Sequence, residues 1–205
     1  MIDNALFYAK NRTNRLVCLF FCYFCDITMG NSPRERILNT ASILFHMQGY
    51  NNTGINQIIA DSGVSKASFY DHFRSKDDLC IEFLNKRYEY WSSQWEIFIS
   101  KASGRKEKIL MSFDFLIYMN EKENFRGCSF LNISSEISDD KIQIHKTIRQ
   151  HKNELRNFFI REIPDEILSA HIYMLFESSI AMGRLYGNNE LTIKSKIIVN
   201  GLLKD

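Results

Sequence analysis

Three groups of residues carry types and spacings that chemistry could use. Cys18, Cys22 and Cys25 spell C-x-x-x-C-x-x-C, a spacing by which three thiolates can hold an iron–sulfur cluster for radical chemistry on adenosylmethionine. Such an enzyme needs a β/α barrel and a glycine cluster after the motif, and neither pattern follows. Ser68, Asp71 and His72 supply the residue types of a hydrolytic triad, but they share one short helical stretch without a nucleophile elbow or an oxyanion hole. The third group is Thr53, Asn56, Ser65, Lys66, Ala67, Ser68, Tyr70, His72 and Lys76. Hydroxyls, an amide and ammonium groups of this kind hold phosphate oxygens, and short side chains between them can meet base edges. No zinc, P-loop or dinucleotide motif is present, so neither a metal, a cofactor nor an enzyme is expected.

The elements that must position the third group follow from composition and pattern. Hydrophobic residues make up 45% of the 205 and charged residues 24%, enough apolar content for a real core. Nine glycines and two prolines are few for this length, which favours long helices over tight-turned sheets. The expectation is an all-α chain. Ser32-Pro33-Arg34-Glu35 reads as a capping box with proline at the first helical position. Ile37, Ala41, Leu44 and Phe45 then share one face until Gln48-Gly49. A second helix is expected over about 55–62, and a third over about 66–73, capped by Ser65 after the turn residue Gly63. Phe69 and Phe73 point inward in that third helix, leaving Lys66, Ser68, Tyr70 and His72 outward or sideways. Two short helices joined by a glycine-containing turn are a helix-turn-helix.

The stretch from Thr53-Gly54-Ile55-Asn56 through Gly63-Val64-Ser65-Lys66 to Phe69-Tyr70-Asp71-His72-Phe73, followed by Arg74-Ser75-Lys76-Asp77-Asp78-Leu79, resembles the core of the TetR family of transcriptional regulators. It departs from the family's pattern at Ile59, where a small residue is usual, and at Gly54, where a hydroxyl cap is common. The resemblance implies a tri-helical helix-turn-helix domain over 29–79, in which Lys66, Ala67 and Ser68 face bases. It also implies that Tyr70, His72, Lys76, Thr53 and Asn56 hold phosphates. Residues 29–80 carry five basic and five acidic side chains. So balanced a head should bind operator DNA only weakly by itself, and two heads must act together.

Residues 80–205 are expected to form a larger helical effector-binding and dimerisation domain, with helices over about 76–100, 105–120, 128–137, 140–162, 164–186 and 190–203. Pro164 suits a first helical position. Arg126-Gly127-Cys128, Asn132 and Glu136 resemble a stretch found in effector domains of TetR relatives. By the same resemblance, the last two helices, about 164–203, would pair with a second subunit as a homodimer, with Ser178, Ser179, Ala181 and Gly183 allowing close approach and Leu175, Met182, Leu185, Ile197, Ile198 and Leu202 supplying apolar area. The resemblance further implies a pocket for an unidentified small-molecule effector, expected among Trp95, Phe115, Tyr118, Met119, Phe130, Tyr173 and Glu177. Cys128, at a helix start, is a candidate thiol sensor.

Residues 1–28 do not match the rest. Their apolar run, 16–25, has roughly half of the ~20 residues that a transmembrane helix needs, and it ends in a poor cleavage site for a signal peptide. A start assigned too far upstream, with the native chain beginning at Met29, is the expectation. Five cysteines, an odd number, fit a reducing cytoplasm better than a secreted disulfide framework. A helical interaction protein that has lost DNA binding is the alternative that the balanced head leaves open.

Overall fold

A computed structural model describes residues 32–203. The apolar run, its three cysteines and Met29 lie outside the described residues. Among those described, nine α-helices follow one another without a strand: α1 Pro33–Gln48, α2 Ile55–Ser62, α3 Lys66–His72, α4 Lys76–Ile99, α5 Arg105–Lys122, α6 Ser129–Glu136, α7 Ile142–Glu162, α8 Glu166–Tyr186 and α9 Glu190–Leu202.

Local chemistry sets most of the helix ends. Ser32 and Glu35 close the expected capping box on α1. Ser65 caps α3 by accepting from the Ser68 amide at 3.1 Å, and Ser75 caps α4 from the Asp78 amide at 3.0 Å. The start of α8 differs from expectation. Asp165 is its cap, accepting from the Leu168 amide at 2.9 Å, so Pro164 sits outside the helix. A carboxylate at the cap satisfies an orphan amide and also favours the positive end of the helix dipole, which proline can do neither of.

Two apolar clusters form the core. The first gathers Ile37, Ala41 and Phe45 of α1, Ile58 of α2, Phe69 of α3 and Leu79 and Phe83 of α4, and it continues into Ile133 of α6 and Ile144 and Ile148 of α7. The core of the head therefore runs past the boundary expected at residue 79 and closes against the body. The second cluster holds Trp95, Phe113, Phe115, Phe159, Phe176 and Val199, from α4, α5, α7, α8 and α9. Each fully buried phenylalanine contributes about 1.5–3 kcal/mol relative to an exposed one. Helix α4, at 24 residues roughly 36 Å long, enters both clusters and joins the two halves as one rod.

The small residues of α8 divide between two faces. Gly183 faces inward: a side chain there would meet Asn120 Nδ2 of α5 at 2.8 Å. Ser179 is also buried and returns its hydroxyl to the Leu175 carbonyl. Both serve packing within the chain, which corrects their expected place on an outer face. The outward stripe of α8 is Ile167, His171, Met174, Ser178, Ala181 and Leu185, spaced by three and four residues.

Gly49 and Gly63 both have positive φ, +87° and +64°, but only Gly49 is crowded, with the Glu136 carboxylate where a Cβ would stand. Its ψ of 173° also places it where side chains are rarely tolerated. Chemical denaturation should therefore show Gly63→Ala costing about 1 kcal/mol and Gly49→Ala roughly 2–4 kcal/mol.

Candidate nucleic-acid interface and cavity

Helix α3 is held by Phe69, which is fully buried, and by Phe73 just after it. Those two anchors leave the opposite face outward. Lys66, Ala67, Tyr70 and His72 are exposed, Ser68 is half-buried, and Ser65 and Asn56 are exposed beside them. Left-handed Gly63, the cap of α2, turns the chain between the helices and accounts for this placement. Seven of the nine residues expected to meet DNA are thus exposed or half-buried. Ser68 donates its backbone N–H to Ser65 Oγ, and it makes no hydrogen bond to Asp71 or His72 among the described residues.

Thr53 and Lys76 are placed differently. Thr53 is fully buried; its hydroxyl donates to the Gly49 carbonyl at 2.7 Å and accepts from Gln48 at 3.3 Å. In this position its side chain supports the α1–α2 linker and does not reach a phosphate. The Lys76 ammonium donates to the carbonyls of Tyr50 and Thr53 at 3.1 and 3.2 Å, and it lies 4.0 Å from the centre of the Tyr50 ring. Two of its three N–H groups are therefore spent on the linker. Next to it, Asp77 accepts from the Tyr50 hydroxyl and from Lys141 Nζ, the latter at 2.7 Å. Burial raises the Asp77 carboxyl, but these donors outweigh it and hold the group below its usual value. The start of α4 is thus an anchor for the linker that carries the helix-turn-helix.

A cavity of about 70 Å³ opens in the body between α4, α5, α6, α7 and α8. Trp91, Leu116, Met119, Phe130, Leu155 and Ile180 form its apolar walls, and Cys128 lines it from the start of α6. Of the seven expected pocket residues, only Met119 and Phe130 are lining. Trp95 and Phe115 stand behind Trp91, with ring centres 5.0 and 5.1 Å away, in the closed core. Tyr118 is exposed. Tyr173 and Glu177 sit one layer out, where Glu177 accepts from Lys152 Nζ at 2.7 and 2.8 Å. Burial, and then the Glu177 charge, push the Tyr173 phenol up to about 12. Among the described residues no cluster of three or more His, Cys, Asp or Glu side chains could hold a metal ion.

The cavity wall is joined to the head through α6. At its start, Arg126 Nε donates to the His46 carbonyl at 2.7 Å, and Ser129 Oγ lies 3.0 Å from His46 Nδ1. At its end, Glu136 accepts from the Asn51 amide at 2.9 Å through its carboxylate and from Asn51 Nδ2 at 2.6 Å through its carbonyl. Asn132 bridges the middle, donating to the Arg126 carbonyl and accepting from Arg184. In the sequence, nothing in the pattern points to His46 or Asn51, and Arg126, Asn132 and Glu136 stand out only as a family-like stretch without this role. The one available signal was their spacing of four and six residues, which placed them near one short helix.

Thr53→Val should lower stability by about 1–2 kcal/mol in thermal or chemical melts, because it leaves buried partners unbonded, while the salt dependence of any DNA binding stays unchanged. Burial, followed by the Arg87 charge, pushes the His46 imidazole down to about 4. Its folded value lies below its unfolded value of about 6.5. Between those two pH values the unfolded chain binds the extra proton, so stability falls as pH drops from about 6.5 to about 4. His46→Asn should lessen that fall in denaturation curves taken across the window.

The sequence profile of bacterial regulatory proteins of the tetR family matches residues 37–83. The chain is similar to the HTH-type transcriptional regulator LmrA of Bacillus subtilis, with 52% identity over 65 residues, 31% of this chain and 34% of LmrA. It is also similar to QacR of Staphylococcus aureus, with 28% identity over 129 residues, 62% of this chain and 64% of QacR. These alignments span about a third of the first relative and just under two thirds of the second. The fold extends the likeness. A solved TetR-family transcriptional regulator of Streptomyces coelicolor superposes at a TM-score of 0.76, covering 83% of this chain and 93% of that one at 23% identity. Reduced NemR of Escherichia coli superposes at 0.69, covering 84% and 98% at 18% identity. Residues 37–83 are a TetR-family helix-turn-helix head, and the chain that carries them has the all-helical TetR-family fold.

Proposed function

We propose that the protein is a dimeric transcriptional repressor that binds operator DNA through α2 and α3 and is released by a small-molecule effector. The observation that carries the proposal is the accessible face of α3, with Lys66, Ala67 and Tyr70 outward on a helix anchored by Phe69. Lys66, Ala67 and Ser68 would meet base edges. Asn56, Ser65, Tyr70 and His72 would grip phosphates, and Lys76 keeps one N–H for the same purpose. Thr53 acts from behind, by holding the linker.

Dimerisation supplies what one head lacks. Its five basic and five acidic residues leave little net attraction for DNA. Ile167, Met174 and Leu185 on α8 and Ile197 and Ile198 on α9 are large apolar side chains, each half or more exposed in the isolated chain. Exposed large apolar side chains on two neighbouring helices are the usual mark of an association surface, and pairing α8 and α9 with a second copy would cover them and fix the spacing of two heads. Among the described residues no helix is long and apolar enough to cross a membrane, and the proposed site of action is the cytoplasm, where the DNA is.

Fluorescence anisotropy on the promoter region upstream of the protein's own gene tests the proposal. Binding should weaken steeply with salt. Lys66→Ala should cost about 1–3 kcal/mol at its base step and relax sequence choice. Leu185→Glu should sediment as a monomer and lose operator binding. Salt-independent binding, or a monomeric variant with full affinity, would overturn it.

A further inference from the structure

The charges around the cavity do not balance. Three cations line it, Arg87, Arg126 and Lys152, against one lining carboxylate, Glu123. Arg87 is taken by Glu123 in a two-pronged contact at 2.5 and 2.6 Å. Lys152 is taken by Glu177 from behind the wall. Arg126 remains. Its Nε serves the His46 carbonyl, and among the described residues no carboxylate lies within ion-pairing distance of its guanidinium. Burial and then the charge of Arg184 disfavour its charged form, and the weaker pull of the Glu136 carboxylate, which is bonded to Asn51, only partly offsets them. A half-buried guanidinium with free N–H groups on an apolar cavity is a site for a planar anion, because the fork of donors matches a carboxylate.

We propose that this cavity binds a compact hydrophobic organic anion, a carboxylate on an aromatic or branched apolar body, with Arg126 as its counter-ion. Trp91, Phe130 and Leu155 receive the apolar body. The size of the cavity, about 70 Å³, is small beside the usual range of roughly 300–1,000 Å³ for ligand pockets, which limits the ligand to one ring at most. A cation is disfavoured by the unneutralised Arg126, and a neutral ligand leaves that charge uncompensated. The position of Arg126 also gives the ligand a line to the head, since the same guanidinium holds the carbonyl of His46 at the end of α1. This proposal rests on the effector-released repressor reading for its biological meaning, but the binding chemistry stands apart from it.

The test uses the full chain and three probes of one shape: phenylacetate, 2-phenylacetamide and phenethylamine, titrated at millimolar concentration by calorimetry. Phenylacetate should bind at least tenfold more tightly than the amide or the amine. Arg126→Gln should abolish that preference, and Arg126→Lys should retain part of it, with circular dichroism melts confirming that both variants fold. If Arg126→Gln does not fold, the result with Arg126→Lys decides: it must still prefer the anion over the amide. Equal binding of the three probes, binding of none, or a preference unchanged in Arg126→Gln overturns the ligand class. Operator release is measured separately. An anion that binds through Arg126 but leaves DNA affinity unchanged counts against the repressor reading and leaves the ligand class intact.

Discussion

The head of this protein is not free to move apart from the wall of its cavity. Helix α6 is fastened to the head at both ends, through Arg126 and Ser129 on His46 and through Glu136 on Asn51. Neutral hydrogen bonds contribute about 0.5–1.5 kcal/mol each, and those to charged groups about 1.5–3 kcal/mol. Beneath them, Ile133 of α6 lies in the same apolar cluster as Ile37 and Phe45 of α1. Polar clamp and shared core act together. A shift of α6 of the kind a ligand could cause must either carry α1 with it or break these bonds.

Helix α4 is the second constraint. Its first turn is bonded to the α1–α2 linker through Lys76 and Asp77, and its last turns stand in the second cluster with Trp95. A rod fixed at both ends transmits rotation, because close-packed cores change between discrete arrangements and do not deform smoothly. The presentation of α3 therefore depends on two paths from the body: the long one along α4 and the short one through α6.

Residues differ in how legible these roles were. The capping serines, the glycine turn and the inward phenylalanines of the head act through neighbours within four positions, so their helices and exposed faces were readable from spacing. For Lys76 and Thr53 the family resemblance implies phosphate contacts, and their residue types suit that role. Their partners, the carbonyls of Tyr50, Thr53 and Gly49, belong to backbone whose path no pattern specifies. In the body, the aromatic residues announced helices but not depth. Trp91 and Leu116 line the cavity while Trp95 and Phe115 close the core behind them, a difference set by which helix lies opposite.

Sequence by itself determined an all-helical chain and the helix-turn-helix with its exposed third helix, since each follows from local periodicity and capping. Tertiary structure alone decided which small residues of α8 face inward, that α6 clasps the head, and that Arg126 forms no ion pair with a carboxylate among the described residues. Those outcomes depend on pairs separated by more than 50 residues, such as Arg126 with His46, Gly183 with Asn120, and Arg184 with Asn132. Their meeting is fixed by the packing of whole helices, not by the order of residues within any one of them.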